Sequence, residues 1–164
     1  MDPNEIRPDL QESIERHKAT LDEARPEAVT RRHKAGQRTL RENIADLMDP
    51  DCSIEYGSLT LAAQRRRKSM DELIKKAPAD GLVAKIGSVN GQLFDQSKTR
   101  CLVLGYDYTV MAGTQGWFNH KKKDRMLELA HKQKLPTILF AEGGGGRPGE
   151  VDMAEVMVAG LEIM

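Results

Sequence analysis

Residues 140–150, FAEGGGGRPGE, set four consecutive glycines, Gly143 to Gly146, between a glutamate and an arginine at the end of an apolar run. A run of this kind offers backbone N–H groups with no Cβ in the way, and glycine reaches the φ > 0 conformations that a tight nest requires. Such a nest receives a phosphate or the oxygen of a developing thioester oxyanion. A plain flexible turn has the same composition, so both readings stand on the run alone. A Walker phosphate loop is excluded because no Gly-Lys-Ser/Thr follows, and the spacing is not that of the GxGxxG dinucleotide fingerprint. A second strand-to-glycine transition, YDYTVMAGTQG at 106–116, places Ala112, Gly113 and Gly116 at its end. The basic runs RRRK (65–68) and KKK (121–123) read either as phosphate-holding cations or as solvated faces. His17, His33, His120 and His131 lack metal-ligand spacing and join no Ser/His/Asp set, so no metal site and no nucleophile is proposed; His120 alone stands beside a glycine turn.

Elements must hold these residues. Leu10, Ile14 and Leu21, with Ala19 an imperfect fit, predict a first helix over about residues 9–24 with Asp9 as its N-cap. Pro26 begins a second helical stretch that Gly36 divides in two, and Asp49-Pro50-Asp51 stops it. CSIEYGS opens with a strand-like piece, and Ser69 with Glu72 forms a capping box before a short helix. LVAKIGSVNGQLFD alternates around Asn90-Gly91, which predicts two antiparallel strands meeting at that turn. RCLVLGYDYTVMAG predicts a buried strand ending at Gly113, Asn119 the cap of a helix with Met126, Leu127, Leu129 and Ala130 on its apolar face, and TILF a further strand. VDMAEVMVAGLEIM then reads as the start of another helix.

At 164 residues the chain suits one domain. Its 25 basic and 25 acidic side chains cancel, which leaves no global field to draw it onto nucleic acid or an anionic membrane, so an anionic ligand must be met locally. Cys52 and Cys101 lie far apart and outside any CxxC, which fits a reducing cytoplasm and neither a zinc site nor a disulfide framework. The charged start MDPNEIRPDLQESIERHK lacks a secretory h-region, and no apolar run reaches the roughly 18 residues of a membrane span.

Four ordered segments, GQRTLRENIADLMDPDCSIEYGSL, PADGLVAKIGSVNGQLF, YDYTVMAGTQGWFNHKKKDRMLELA and LPTILFAEGGGGRPGE, resemble the amino-terminal half of the carboxyltransferase component of biotin-dependent acyl-CoA carboxylases, nearest the branch fused into a single long-chain-type acyl-CoA carboxylase. The resemblance implies an α/β, crotonase-like ββα spiral over residues 80–164, incomplete, after an N-terminal helical segment and connector over 1–79. It implies transfer of CO2 from carboxybiotin to the α carbon of an acyl-CoA through a thioester enolate held by backbone donors. Family members carry Asp-Ser-Gly-Gly-Ala-Arg where this chain has Glu142 to Arg147, which puts the oxyanion pair on Gly144 and Gly145, flanked by Gly143 and Gly146; the adjacent glycines leave a one-position shift open. By the same likeness Ala112, Gly113, Thr114 and Gln115 line the acyl-CoA pocket, and Arg38, Arg41, Lys121 and Lys122 are the cations expected to retain coenzyme A.

Family members continue well past this length, adding a second half that binds biotin. The resemblance therefore implies a fragment holding only part of the acyl-CoA side and inactive by itself, with strand edges that self-association or a partner would cover. The partners it implies are acyl-CoA, biotin carboxylase and biotin carrier domains or subunits, the carboxy-terminal half of the carboxyltransferase, and further copies in a homo-oligomer. A non-catalytic CoA-binding or subunit-assembly module is the alternative from a different class.

Overall fold

The structure, a computed structural model, describes residues 6–150 and 152. The chain runs α1 (Pro8–Lys18), α2 (Pro26–Lys34), α3 (Leu40–Leu47), β1 (Ser53–Glu55), α4 (Met70–Lys76), β2 (Leu82–Ser88), α5 (Gln96–Thr99), β3 (Arg100–Tyr106), α6 (Trp117–Gln133) and β4 (Thr137–Phe140), with short 3₁₀ turns between. Proline opens both α1 and α2, where its missing N–H has no partner to lose. Gly36, at φ 70°, ends the second helical stretch, and Thr39 restarts it with a complete capping box to Glu42.

The four strands lie in the order β1-β2-β3-β4. β1 and β3 run antiparallel to β2, whereas β4 runs parallel to β3 after the α6 crossover. Alternation along β2 and β3 sends side chains to two faces. On one, Val83, Cys101 and Val103 meet Leu40, Ile44 and Met48 at α3 and its C-cap; on the other, Ala84, Ile86, Leu102 and Leu104 meet Met126 and Ala130 of α6. Each fully buried leucine here contributes roughly 1.5–3 kcal/mol of transfer free energy. Ion pairs also tie the N-terminal helices down, Arg25 to Asp107 at 3.1 Å and Arg41 to Glu55 at 2.9 Å.

Several sequence expectations change. The first helix stops at Lys18 and is capped at Arg7, with Asp9 in its first turn. The strands expected to meet at Asn90-Gly91 do not: β2 pairs directly with β3, Ser88 opposite Arg100, and residues 89–99 form the connection. Asn90 does take a turn conformation at φ 58°, but Asp49 reaches across to accept from Gly91 N at 2.8 Å and Ser88 Oγ at 2.5 Å, and Leu93 is left 75% exposed with no strand to join. β3 ends at Tyr106 and not at Gly113, because Asp107 turns the chain by accepting from Thr109 N at 2.9 Å. Ser69 caps α4 through Glu72 N, while the Glu72 carboxylate pairs with Lys76. α6 begins at Trp117 with Gly116 as its cap, so Asn119 lies inside its first turn. The helix expected over VDMAEVMVAGLEIM lies, apart from Asp152, outside the described residues.

Candidate functional site

Because β3 and β4 are parallel neighbours, the loops that follow them leave the same edge of the sheet, where open α/β sheets form crevices. Here the two glycine turns meet. Gly144 N donates to Ala112 O at 3.0 Å, Gln115 N to Gly145 O at 2.8 Å and Arg147 N to Gln115 O at 2.8 Å, so parallel pairing continues past the strands as a Gln115–Gly146 bridge. Contact is closest at Gly113 and Gly143: a Cβ on Gly113 would lie 2.5 Å from Glu142 O, and one on Gly143 would overlap the Gly113 carbonyl.

The remaining glycines look outward. Gly145 sits at φ +85°, a conformation L side chains rarely adopt, and neither it nor Gly146 has an atom within 4 Å of where a Cβ would stand. Among the described residues neither N–H meets an acceptor. Of the pair expected from the resemblance, Gly144 thus spends its N–H on Ala112, while Gly145 keeps its own, and Gly146 adds a second. Gly143 N–H likewise meets no acceptor among the described residues, but a Cβ there would overlap the Gly113 carbonyl, so Gly145 and Gly146 are the open positions of the arch.

Ion pairs fix both ends of the arch. Upstream, Glu142 takes both Nη atoms of Arg32, at 2.8 and 2.7 Å. Downstream, the Arg147 guanidinium is buried against Asp80 and Glu150, and it also donates to Thr114 O at 2.6 Å and Thr114 Oγ1 at 3.2 Å. Asp80 accepts from Asn119 N at 2.7 Å, and Glu150 from Ala63 N at 2.9 Å and Gln64 Nε2 at 3.1 Å. Burial pushes the Asp80 carboxyl up, against the lowering pull of Arg147. Both connected turns are left-handed: Ala79, Asp80 and Gly81 have φ of 54°, 48° and 68°, and Met111, Ala112 and Gly113 have 49°, 54° and 64°. Each non-glycine residue among them costs about 1–2 kcal/mol, so Arg147 holds together backbone that would otherwise relax.

Glu142 and Arg147 are both engaged by opposite charges, so neither flank leaves a free cation beside the arch, which presents N–H dipoles. That suits a neutral carbonyl acquiring negative charge better than a preformed anion, since preorganised donors act where charge develops. Burial, aided by Lys123, holds His120 below the usual imidazole value, and its backbone N–H is spent on Gly116 O.

The other expected site residues divide. Ala112, Gly113, Thr114 and Gln115 do adjoin the arch, but the Thr114 hydroxyl is occupied by Met111 O and Arg147, and the Gln115 amide oxygen by Tyr106 and Lys123. The four cations are engaged elsewhere. Arg41 is bound to Glu55 and Thr20 O, Arg38 to Asp46 and Glu42 O, and Lys121 lies 5.1 Å above the Trp117 ring. Lys122 is buried, its ammonium on Leu82 O at 2.5 Å, which removes it from any role as a surface phosphate ligand. Sequence reasoning passed over Arg32, Glu142, Arg147 and Asp80; the opposite charges flanking the glycine run were the available signal.

A groove of about 680 Å³ lined by Asp49, Cys52, Ile54, Ile86 and Arg100, among others, shares no residue with the arch. Among the described residues, no cluster of three or more His, Cys, Asp or Glu is arranged for a metal, and no helix is long and apolar enough to cross a membrane.

The family described as the carboxyl transferase domain matches residues 31–162. The propionyl-CoA carboxylase beta chain of Saccharopolyspora erythraea is 30% identical over 120 residues, covering 73% of this chain and 20% of its own length. The biotin-dependent acetyl-/propionyl-coenzyme A carboxylase beta5 subunit of Mycobacterium tuberculosis is 29% identical over 138 residues, covering 84% of this chain and 23% of its own. Among solved structures, a single-chain, multi-domain long-chain acyl-CoA carboxylase superposes with a TM-score of 0.84 at 56% identity, over 88% of this chain and 14% of that one. Transcarboxylase 12S, a hexamer, superposes with a TM-score of 0.70 at 26% identity, over 89% of this chain and 27% of that one. The chain thus spans about a fifth of the length of the curated relatives it matches.

Proposed function

Given that the chain belongs to the carboxyl transferase domain family and has its α/β, crotonase-like fold, we propose that it supplies the acyl-CoA side of a biotin-dependent carboxyltransferase. The carrying observation is the arch, in which the Gly145 and Gly146 N–H groups meet no acceptor among the described residues and a Cβ at either position would stand in open space, on a backbone clamped to the neighbouring turn. The thioester oxygen of an acyl-CoA sits between these two donors. As the α-proton leaves, negative charge builds on that oxygen, and the donors stabilise it without having to reorganise. A single donor of this kind is worth roughly 2.7–4 kcal/mol in acyl transfer.

Carboxybiotin, delivered on a carrier domain as co-substrate, supplies the CO2. The chain's own contribution is to bind and orient the thioester: Gly144 and Ala112 fix the arch, and the absence of side chains at Gly145 and Gly146 leaves room for the ligand. Biotin carboxylase, biotin carrier and the carboxy-terminal half of the carboxyltransferase are the proposed partners, in a homo-oligomeric assembly.

Gly146→Val in the complete carboxylase tests this reading. The new side chain enters space where no atom lies within 4 Å, so the fold tolerates it while the ligand's approach is blocked. Carboxylation of acyl-CoA is expected to fall by roughly 100- to 1000-fold in kcat, with the melting temperature nearly unchanged. Turnover within about twofold of the unsubstituted enzyme would refute the donor assignment. Calorimetric retention of coenzyme A by this chain, with no exchange of carboxylate in the reconstituted carboxylase, would favour the binding-module alternative.

A further inference from the structure

Four glycines cannot keep one conformation by themselves. Fixing each backbone costs about 1–2 kcal/mol, and glycine loses more freedom than any other residue. The shape of the arch must be imposed from its ends, and downstream Arg147 does so from within the β3–β4 unit. The upstream end is held from 110 residues away, by Arg32 of α2.

Arg32 is built for this task. It is only 7% exposed, and its guanidinium makes two bonds to the Glu142 carboxylate at 2.8 and 2.7 Å. Its remaining donors are satisfied by Gln37 Oε1 at 2.7 Å and Arg38 O at 2.8 and 3.2 Å, which aims the fork. The same guanidinium lies 5.1 Å from the centroid of Tyr108, in the loop after β3. One side chain therefore touches both loops that form the site: Glu142 begins the arch, and Tyr108 precedes the turn on which the arch rests. A planar, always-charged fork with two parallel bonds defines position and angle together, which lysine cannot do.

We propose that Arg32 is a positioning residue for the thioester-binding arch, acting through Glu142 and Tyr108, so that the N-terminal helices are a working part of the site. This rests on the reading of the arch as the oxyanion site. It assigns Arg32 no contact with substrate.

The test uses Arg32→Gln and Glu142→Gln in the complete carboxylase. Glu142→Gln is nearly isosteric at a half-exposed side chain, so it remains informative if Arg32→Gln fails to fold. Slackening the arch misplaces the donors, and displacements near 1 Å cost up to about 100-fold, so kcat is expected to fall roughly 10- to 100-fold. KM for acyl-CoA should move by less than about threefold, because the donors act chiefly in the transition state. Hydrogen exchange should quicken in peptides spanning 141–149 and stay unchanged over β3. If both variants keep kcat within about twofold, or if exchange over β3 rises in step with that over 141–149, the inference is overturned. Gly146→Val separates the two levels: an inactive Gly146→Val enzyme beside fully active Arg32→Gln and Glu142→Gln enzymes refutes only the positioning role.

Discussion

Replacing Arg147 with Met removes the one guanidinium shared by Asp80, Glu150 and Thr114 while keeping its aliphatic volume. Asp80 is fully buried and the Arg147 side chain only 4% exposed, so water cannot take over from the lost cation. Glu150 retains the Ala63 N–H and the Gln64 amide, and Asp80 retains the Asn119 N–H. Breaking a buried pair from one side costs about 3–5 kcal/mol. At this chain length that corresponds to a fall of roughly 6–20 °C in Tm. The deficit must also depend on pH. Burial already raises the Asp80 carboxyl above its ordinary 3.8 while Arg147 opposes the rise, so removing Arg147 raises it further. A carboxyl raised on folding favours the folded state at low pH and loses that contribution as pH climbs through its folded value. The Arg147→Met deficit should therefore be greatest near neutrality and narrow on acidification, and adding Asp80→Asn should recover part of it at pH 7. Urea unfolding of the chain and its variants across pH measures all three effects. A deficit below about 1 kcal/mol, or one constant with pH, would refute the view that Arg147 compensates a buried carboxylate.

Three other outcomes are expected. Gly143→Ala should destabilise the fold by roughly 1–3 kcal/mol because its Cβ overlaps the Gly113 carbonyl, whereas Gly146→Ala should stay within about 0.5 kcal/mol; thermal melts of the pair decide this. Burial lowers the Lys122 ammonium from its ordinary 10.5 to about 8, so folding expels its proton between those values and unfolding free energy should rise with pH from about 8 to 10.5. The burial penalty is fully present below about 8, and Lys122→Met should flatten the rise in denaturant titrations. Thr39→Ala removes the α3 capping box and should cost about 1 kcal/mol, read from the urea midpoint with the m-value unchanged.

What the sequence disclosed followed local chemistry. Pro26, Gly36 and Asp49-Pro50-Asp51 punctuate the helices as their backbone preferences dictate, and the apolar alternation of residues 82–88 marks β2. Asn90-Gly91 misled because its preference for a tight turn is real, yet it acts only if two strands are there to be joined. The pin from Asp49 and the exposure of Leu93 are long-range facts with no local trace. Lys122 was hidden by the charge of its own run, although Asn119, Lys122, Met126 and Ala130, at spacings of three and four, are the buried face of α6. At the site, the glycine run was legible as a place where backbones come close and N–H groups stay uncovered, because glycine alone has no Cβ to intervene. Which donors are left over was not, since the bond from Gly144 to Ala112 depends on the parallel register of β3 and β4.

The bonds that shape the arch join residues 33, 67 and 110 positions apart: Arg147 to Thr114, Arg147 to Asp80, and Arg32 to Glu142. Closing a flexible loop of the largest span costs about 4 kcal/mol in chain entropy before any bond is made. The β2–β3 pair has a much shorter span to close, because only residues 89–99 separate the two strands. In time, then, the scaffold precedes the arch: refolding should restore the protected amides of β2 and β3 while the arch still exchanges freely, and the arch takes its shape only with the final closure of the chain upon itself.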